Sequence, residues 1–254
     1  MKSPLLWLGS KSQLRDTIIS MIPEHKTYVE VFAGGAWVLF GKPMEISRAE
    51  VLNDIDGELI NFYRVVKRKS GAFLKGFEWL LVSREIFNQL KDVDPSCLAP
   101  EERAVRFFYL MRASILGKRY SFYSCAARRP NLNLDRLEEI VRAVHERLKR
   151  VTIEHRDFEK LISMYDRPET FFYLDPPYWQ MHLYRYNFRK EQHKRLAEML
   201  RALKGKFILS YNDVRDIRKL YRGLTIQTVK PRYSAQGMSG KTTRKGNELL
   251  IRNF

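Results

Sequence analysis

The run from Phe171 to Trp179 constrains the fold of this chain more than any other stretch. It reads Phe-Phe-Tyr-Leu-Asp-Pro-Pro-Tyr-Trp, and its apolar and aromatic start is typical of a buried strand. Pro176 and Pro177 end that strand, because proline has no N–H to donate to a sheet ladder. Asp175 is therefore predicted to lie at the carboxyl end of a strand, where open α/β sheets bind their ligands.

The same run brings two hydrogen-bond acceptors and an aromatic ring close together. The Asp175 carboxylate and the Pro176 carbonyl, held in a rigid turn, suit a planar exocyclic amine, which has two N–H donors. Tyr178 adds a face against which a planar base can stack. The alternative is a buried strand ended by an ordinary Asp-Pro turn. The complete string of aromatic residues, Asp, two prolines and Tyr favours a site for a nucleobase amine.

The composition indicates a folded protein with a polyanionic partner. Hydrophobic residues make up 44% of the 254 residues, and 46 Lys and Arg outnumber 29 Asp and Glu, for a net charge of +17. This excess predicts DNA, RNA or an acidic membrane face as the partner. No apolar run is long enough to cross a bilayer. Only Cys97 and Cys125 are present, which excludes a disulfide framework and a four-thiolate zinc site, so we expect no metal and a reducing, cytoplasmic compartment.

A glycine turn and a spaced acid predict a cofactor that contains adenosine. Residues 27–32 have the β-branched and aromatic content of a strand and run directly into Ala33-Gly34-Gly35-Ala36. Glycines in this turn let the backbone approach a ligand closely. Asp54 ends a second predicted strand 20 residues beyond Gly34, about where dinucleotide-binding folds place the acid that binds ribose hydroxyls.

The middle of the chain changes from alternating strands to helices. From about 57 to 147, apolar residues recur at helical spacing. The stretch 103–134 carries seven basic side chains, no acid and several aromatics, which is typical of a nucleic-acid-binding surface; a solvated face is the alternative. Beyond the helical region, strands are predicted at 151–156, 171–174, 206–210, 224–229 and 248–252, and a helix at 189–203.

Several short motifs, in this order, resemble those of the Dam-like (D12 class) N6-adenine DNA methyltransferases. In that class a target-recognition insert precedes the Asp-Pro-Pro-Tyr motif. The first motif here has Ser10 where the family usually has a second glycine. The segments that carry the resemblance are Leu6–Lys11, Tyr28–Gly35, Asn53–Asp56, Arg156–Phe158, Asp175–Tyr178 and Arg244–Leu250.

The resemblance covers nearly the whole chain and implies its fold, domains and cofactor. We expect an α/β protein with a Rossmann-like class I methyltransferase sheet, helices on both faces and an inserted, mainly helical target-recognition domain. Residues 1–56 and 148–254 would form the catalytic domain, and 57–147 the insert. The implied cofactor is S-adenosyl-L-methionine, and the implied reaction methylates the N6 amine of an adenine flipped out of duplex DNA.

The resemblance also assigns the site residues. The catalytic set is Asp175, Pro176, Pro177 and Tyr178. The cofactor-binding set is Trp7, Lys11, Glu30, Phe32, Gly34, Gly35, Asp54, Asp157, Phe158 and Asp175.

Basic residues of the predicted insert and of the glycine-containing loop 232–247 are the expected DNA contacts. In the insert, Met111-Arg112-Ala-Ser-Ile-Leu-Gly117 departs from the Asn-Arg-x-x-x-Asn-Gly of many family members, so specificity for GATC is not implied. The residues predicted to bind nucleic acid are Arg112, Lys118, Arg119, Arg128, Arg129, Lys241, Arg244 and Lys245.

Three other functions use the same sequence features. Cytosine N4 is also an exocyclic amine, so an N4-cytosine or an RNA N6-adenine methyltransferase remains open, as does a catalytically silent nucleic-acid-binding relative. The order of the motifs favours DNA adenine.

The expected partner is double-stranded DNA, with no membrane and no metal. We expect a monomer, and a cognate restriction endonuclease is a candidate partner.

Overall fold

The computed structural model describes residues 1–123, 132–230 and 246–254, and its strands form a single sheet. The strand order is β3-β2-β1-β4-β5-β7-β6. The first five strands in this order run parallel, and β7 is antiparallel to both β5 and β6. The strands are β1 Thr27–Glu30, β2 Ala49–Asn53, β3 Val151–Glu154, β4 Thr170–Leu174, β5 Lys206–Asn212, β6 Thr225–Val229 and β7 Glu248–Arg252.

Helices cover both faces of this sheet, which confirms the predicted Rossmann-like α/β class. Alternate residues of the central strands point to opposite faces. Tyr28 and Phe171 pack on the side of α1 to α6, while Val29 and Phe172 pack on the side of α7 to α9. The helices are α1 Arg15–Ser20, α2 Trp37–Gly41, α3 Gly57–Lys75, α4 Arg84–Asp92, α5 Pro100–Ala113, α6 Leu137–Leu148, α7 Phe158–Tyr165, α8 Lys190–Arg201 and α9 Arg215–Leu220.

The strands predicted from sequence are present with shifted ends. β1 stops at Glu30 and β3 at Glu154, two residues short of the predicted 27–32 and 151–156. β4 is buried along its whole length and stops at Leu174, directly before Asp175. Asp175 therefore lies in the loop that follows β4. The part of loop 232–247 up to residue 245 lies outside the described residues.

The helices between β2 and β3 share one hydrophobic cluster with the sheet. Phe62 of α3 and Val144 of α6 belong to the same buried cluster as Tyr28 of β1. A buried fork also joins α6 to β2, since Arg147 donates to both Glu50 oxygens, at 2.5 and 2.7 Å. The ends of the predicted insert 57–147 therefore pack as part of the sheet's own covering layer. An independently packed recognition domain with these bounds stays a prediction.

Candidate active site

The carboxyl ends of β1, β2 and β4 meet around one cavity of about 330 Å³. The Gly34-Gly35 turn follows β1, Asp54 follows β2, and Asp175 follows β4. This convergence follows from the parallel pairing of the three strands. The cavity is lined by all ten residues of the predicted cofactor set, which are Trp7, Lys11, Glu30, Phe32, Gly34, Gly35, Asp54, Asp157, Phe158 and Asp175.

The glycine turn is held from three sides. Its backbone is left-handed at Gly34, with φ of 46°. The Gly34 N–H donates to Asp54 Oδ2 at 2.9 Å, and the Tyr63 hydroxyl donates to the Gly34 carbonyl at 2.8 Å. The Trp7 indole lies so close that a Cβ on Gly34 would sit 2.6 Å from its Nε1. The turn therefore presents its backbone to the cavity in a single arrangement.

Asp54 connects the glycine turn to the start of α3. Besides the bond from Gly34, its Oδ1 accepts the Asp56 N–H at 2.9 Å. Burial raises the pKa of Asp54 to about 6, while these backbone N–H donors oppose that rise. At neutral pH the group is an anion with lone pairs facing the cavity. Its role as a ribose ligand stays a prediction.

Three phenylalanine rings form an apolar wall of the cavity. The Phe158 ring lies 5.9 Å from that of Phe32 and 5.1 Å from that of Phe188, between centroids. Asp157 begins α7 and accepts the Glu159 N–H at 2.9 Å. Asn53 fixes the neighbouring backbone, because its amide donates to the Val31 carbonyl and its oxygen accepts the Arg156 N–H. Such a wall suits a flat heterocycle.

Asp175 lies against a buried lysine from the amino-terminal motif. Lys11 Nζ is 2.8 Å from Asp175 Oδ2 and is almost fully buried, whereas the Asp175 side chain is 21% exposed. Burial raises the pKa of Asp175 to about 6, although Lys11 acts in the opposite direction. Burial also disfavours the Lys11 cation, but the charges of Asp175 and Glu248 raise its pKa above the usual value. Lys11 therefore stays charged and occupies one side of the carboxylate.

The two prolines and Tyr178 continue the edge of the site. Pro177 lines the cavity, and Pro176 is buried behind it. Among the described residues, no hydrogen bond is donated to the Pro176 carbonyl. The Tyr178 hydroxyl donates to Glu248 Oε2 at 2.7 Å, and its ring centroid is 4.9 Å from Lys11 Nζ. Asp175, Lys11, Tyr178 and Glu248 thus form one connected polar cluster.

Within 1–123, 132–230 and 246–254, no group of three or more His, Cys, Asp or Glu side chains is arranged to hold a metal ion. A membrane-spanning helix is also absent from these residues.

The family model for the D12 class N6 adenine-specific DNA methyltransferases matches residues 7–235 of this chain. The chain belongs to this family. It is therefore a site-specific DNA methyltransferase that acts on adenine, and it requires a methyl donor and a DNA substrate. Of the functions left open by the sequence, the family assignment favours adenine in DNA over cytosine, RNA and a silent relative.

Curated relatives of this D12 class methyltransferase match it from end to end. The Type II methyltransferase M.CviBI of Paramecium bursaria Chlorella virus NC1A is 26% identical over 100% of both chains. M.MjaIII of Methanocaldococcus jannaschii is 28% identical over 98% of both. The DNA adenine methylase of Escherichia coli K12 is 27% identical over 97% of this chain and 93% of its own.

The predicted DNA-contacting residues fall into distinct environments. Lys118 is exposed, whereas Arg112 is half-buried and desolvation lowers its pKa. Since the stretch 103–134 contains no acid, Arg119 is predicted to have no acidic partner, and this prediction is wrong. Its Nη2 lies 3.8 Å from Asp56 Oδ2, and its guanidinium packs over the Phe107 ring. Outside the described residues lie Arg128, Arg129, Lys241, Arg244 and Lys245.

Two further cations of the stretch 103–134 also have partners in the protein. Arg103 pairs with Glu58, and Arg106 donates to the carbonyls of Leu90 and Lys91. These arginines hold α5 against α3 and α4. A count of charges along the stretch therefore overstates the number of cations available to DNA.

Several residues of the site are not marked as functional by the motifs of the sequence. Glu248 stands inside the closing motif Arg244–Leu250, which was its only signal. Tyr184 donates to the Leu8 carbonyl at 3.0 Å and so joins the segment after the Asp-Pro-Pro-Tyr motif to the amino-terminal motif. Phe188 belongs to the same aromatic-rich segment. Ser10 has a negative φ, which is why serine is accommodated at a position where the family usually has glycine.

Proposed function

We propose that the cavity binds S-adenosyl-L-methionine and that Asp175 receives the adenine whose N6 amine is methylated. One observation carries this proposal: Asp175 directly follows the buried strand β4 and lines the same cavity as the glycine turn and Asp54. A methyl donor in this cavity and an amine held at Asp175 would meet at the edge of the sheet.

The proposed cofactor fits the cavity by chemistry and by size. The Asp54 carboxylate is an acceptor for ribose hydroxyls, and the rings of Phe32, Phe158 and Phe188 suit the adenine. Trp7 and Gly34 line the same cavity. A cavity of about 330 Å³ lies within the usual range for such ligands, about 300–1,000 Å³.

The proposed chemistry relies on position and electrostatics. The N6 lone pair of adenine is delocalised into the ring and is a poor nucleophile. Acceptors at Asp175 and the Pro176 carbonyl would bind both N–H groups and favour the pyramidal amine. That amine attacks the sulfonium methyl in line, the C–S bond breaks with its electrons going to sulfur, and the methylated amine then loses one proton to solvent.

The target base would reach this pocket only outside the helical stack, so we propose that the enzyme flips it out. Tyr178 would stack against the flipped base. The exposed Lys118 would contact a phosphate, and the helices within 57–147 would read the sequence. We propose a monomer, because each reaction methylates one adenine on one strand of the duplex. Relatives named Type II methyltransferases support a restriction endonuclease as partner in the cytoplasm, where the DNA substrate is found.

Replacement of Asp175 by Asn tests the proposed role of this residue. The amide keeps the size of the side chain but can direct a donor at the target amine. We expect single-turnover methylation of unmethylated plasmid DNA to fall by at least about a hundredfold, as when one preorganised contact is lost. S-adenosylmethionine should still bind, which calorimetry would verify. Methylation by Asp175→Asn at the wild-type rate would contradict the assignment.

A further inference from the structure

Glu248 lies beside the proposed catalytic residues but on a different part of the sheet. It is the first residue of β7 and pairs with Asn212 of β5 and Val229 of β6. Its backbone is thus fixed by strands on both sides. Its side chain is 14% exposed and points at the Asp-Pro-Pro-Tyr turn.

We propose that Glu248 is a positioning residue for methyl transfer, which orients the Tyr178 ring and offsets the charge of Lys11 so that Asp175 remains a strong acceptor. This inference rests on the proposed roles of Asp175 and Tyr178. It assigns a function to a carboxylate that does not itself line the cavity.

A single oxygen of Glu248 serves both tasks. Its Oε2 accepts the Tyr178 hydroxyl at 2.7 Å and lies 3.6 Å from Lys11 Nζ. Lys11 Nζ in turn lies 2.8 Å from Asp175 Oδ2. The order of contacts is therefore Tyr178, Glu248, Lys11, Asp175, and a change at Glu248 reaches both proposed catalytic side chains.

The balance of charge explains why a second carboxylate is useful here. Asp175 paired with Lys11 alone would be close to neutral as a unit, and its oxygens would attract an amine N–H less strongly. With Glu248 present, two carboxylates share one ammonium and the cluster keeps a net charge of −1. The excess negative charge strengthens hydrogen bonds from the amine to Asp175, since electrostatic interactions are strong in a partly buried site.

The second task concerns the orientation of the ring. A tyrosine at a strand end can rotate about its side-chain bonds, and a stacked base requires one orientation. The bond to Glu248 anchors the hydroxyl, while the Tyr211 ring lies 5.7 Å away between centroids. The Tyr178 ring is therefore held in place before the base arrives.

Glu248→Gln separates the charge from the hydrogen bond, because the amide oxygen can still accept the Tyr178 hydroxyl. We expect its single-turnover rate to fall about tenfold to a hundredfold, with S-adenosylmethionine affinity within about threefold of wild type. Glu248 raises the pKa of Asp175, so the acidic limb of the pH–rate profile should also move to lower pH. A structural role alone would leave that limb in place.

Glu154→Gln is the matched control. Like Glu248, Glu154 lies at the end of a strand. It accepts the Tyr165 hydroxyl at 3.1 Å and pairs with Arg156 at 2.9 Å. It lies on β3, which is three places from β4 in the sheet. We expect this variant to keep the wild-type rate and pH profile.

Tyr178→Phe tests the hydrogen bond from the other side in an otherwise intact chain. It should slow methyl transfer in the wild-type background and have no further effect in a Glu248→Ala background. Equal slowing in both backgrounds would overturn the link between the two residues.

The inference is overturned if Glu248→Gln retains the wild-type rate and pH profile, or if Glu154→Gln shows the same loss. Asp175→Asn separates this outcome from failure of the proposed function. An inactive Asp175→Asn beside an unaffected Glu248→Gln rejects only the role of Glu248. A fully active Asp175→Asn rejects the proposed function.

Discussion

The backbone N–H of Gly34 donates to Asp54 Oδ2 at 2.9 Å and so joins the loop after β1 to the loop after β2. Asp54 also accepts the Asp56 N–H, so one carboxylate organises two neighbouring loops. A side chain predicted to bind the cofactor therefore also supports the backbone around the cofactor. Loss of Asp54 should affect both ligand binding and local stability.

Asp54→Ala should lower the affinity for S-adenosylmethionine by about 10- to 150-fold, because a hydrogen bond to a charged group contributes about 1.5–3 kcal/mol. Calorimetry measures this directly. Asp166→Ala is the control, since Asp166 also accepts two backbone N–H groups, from Lys204 and Gly205, but next to the amino end of β5. Equal cofactor affinity in Asp54→Ala and wild type would reject the ribose role.

Gly34→Ala should distort the cofactor site as well as strain the backbone. The added Cβ would sit 2.6 Å from Trp7 Nε1, so the indole would have to move. Gly223→Ala is the control, because Gly223 also has a positive φ but has open space around its Cβ. Each variant should lose about 1–2 kcal/mol of stability in urea unfolding. Only Gly34→Ala should bind S-adenosylmethionine more weakly, and an unaffected affinity would contradict the contact with Trp7.

Glu30→Gln should change how stability depends on pH. Glu30 accepts the Tyr28 hydroxyl and the Leu39 N–H, and burial raises its pKa to about 8. The folded state thus binds a proton that the unfolded state releases near pH 4.3. Stability from this group is present at low pH and is lost as the pH rises through 8, at no more than about 1.4 kcal/mol per pH unit.

Relative to wild type, Glu30→Gln should therefore become more stable between pH 5 and pH 8 and then level off. Urea unfolding of both proteins at pH 5, 7 and 9 measures this difference. A constant difference across the three pH values would show that Glu30 titrates normally in the folded protein.

The edge of the sheet that carries the site could be predicted from local sequence. Prolines after β4 and glycines after β1 mark where the strands end, and parallel pairing brings those ends together at Asp175, Asp54 and Gly34. The partners of Asp175 could not be predicted in this way. Lys11 comes from the segment before α1, and Glu248 comes close because β7 pairs with β5 beside β4. No local pattern reveals either arrangement.

The partners of the charged residues in the stretch 103–134 could not be predicted from local sequence either. Composition identified the cations, but the Arg119–Asp56 contact depends on tertiary packing. Lys118, which is exposed, and Arg119, which is half-buried, should therefore behave differently even though they are adjacent.

Lys118→Ala should weaken binding to all duplexes alike and reduce the slope of log affinity against log salt by about one unit, as expected for one lost phosphate contact. Titration of unrelated duplexes at several salt concentrations measures the slope. Lys160→Ala, an exposed lysine on α7 across the sheet, is the control and should leave the slope unchanged. If Lys118→Ala keeps the wild-type slope, Lys118 belongs to a solvated face.

Arg119→Ala should instead lower stability by about 0.5–1 kcal/mol, through loss of its contact with the Phe107 ring. Its salt slope should change less than that of Lys118→Ala. If Arg119→Ala reduces the slope of log affinity against log salt by a full unit and leaves urea unfolding unchanged, Arg119 contacts a phosphate.

Identification of the methylated base is the decisive experiment for adenine methylation through Asp175. DNA incubated with the enzyme and methyl-labelled S-adenosylmethionine would be digested to nucleosides and separated. We predict label in N6-methyldeoxyadenosine, and about a hundredfold less of it with Asp175→Asn at equal time. Label in N4-methyldeoxycytidine would show that cytosine is the target, and equal labelling of adenine by Asp175→Asn and wild type would remove Asp175 from the reaction.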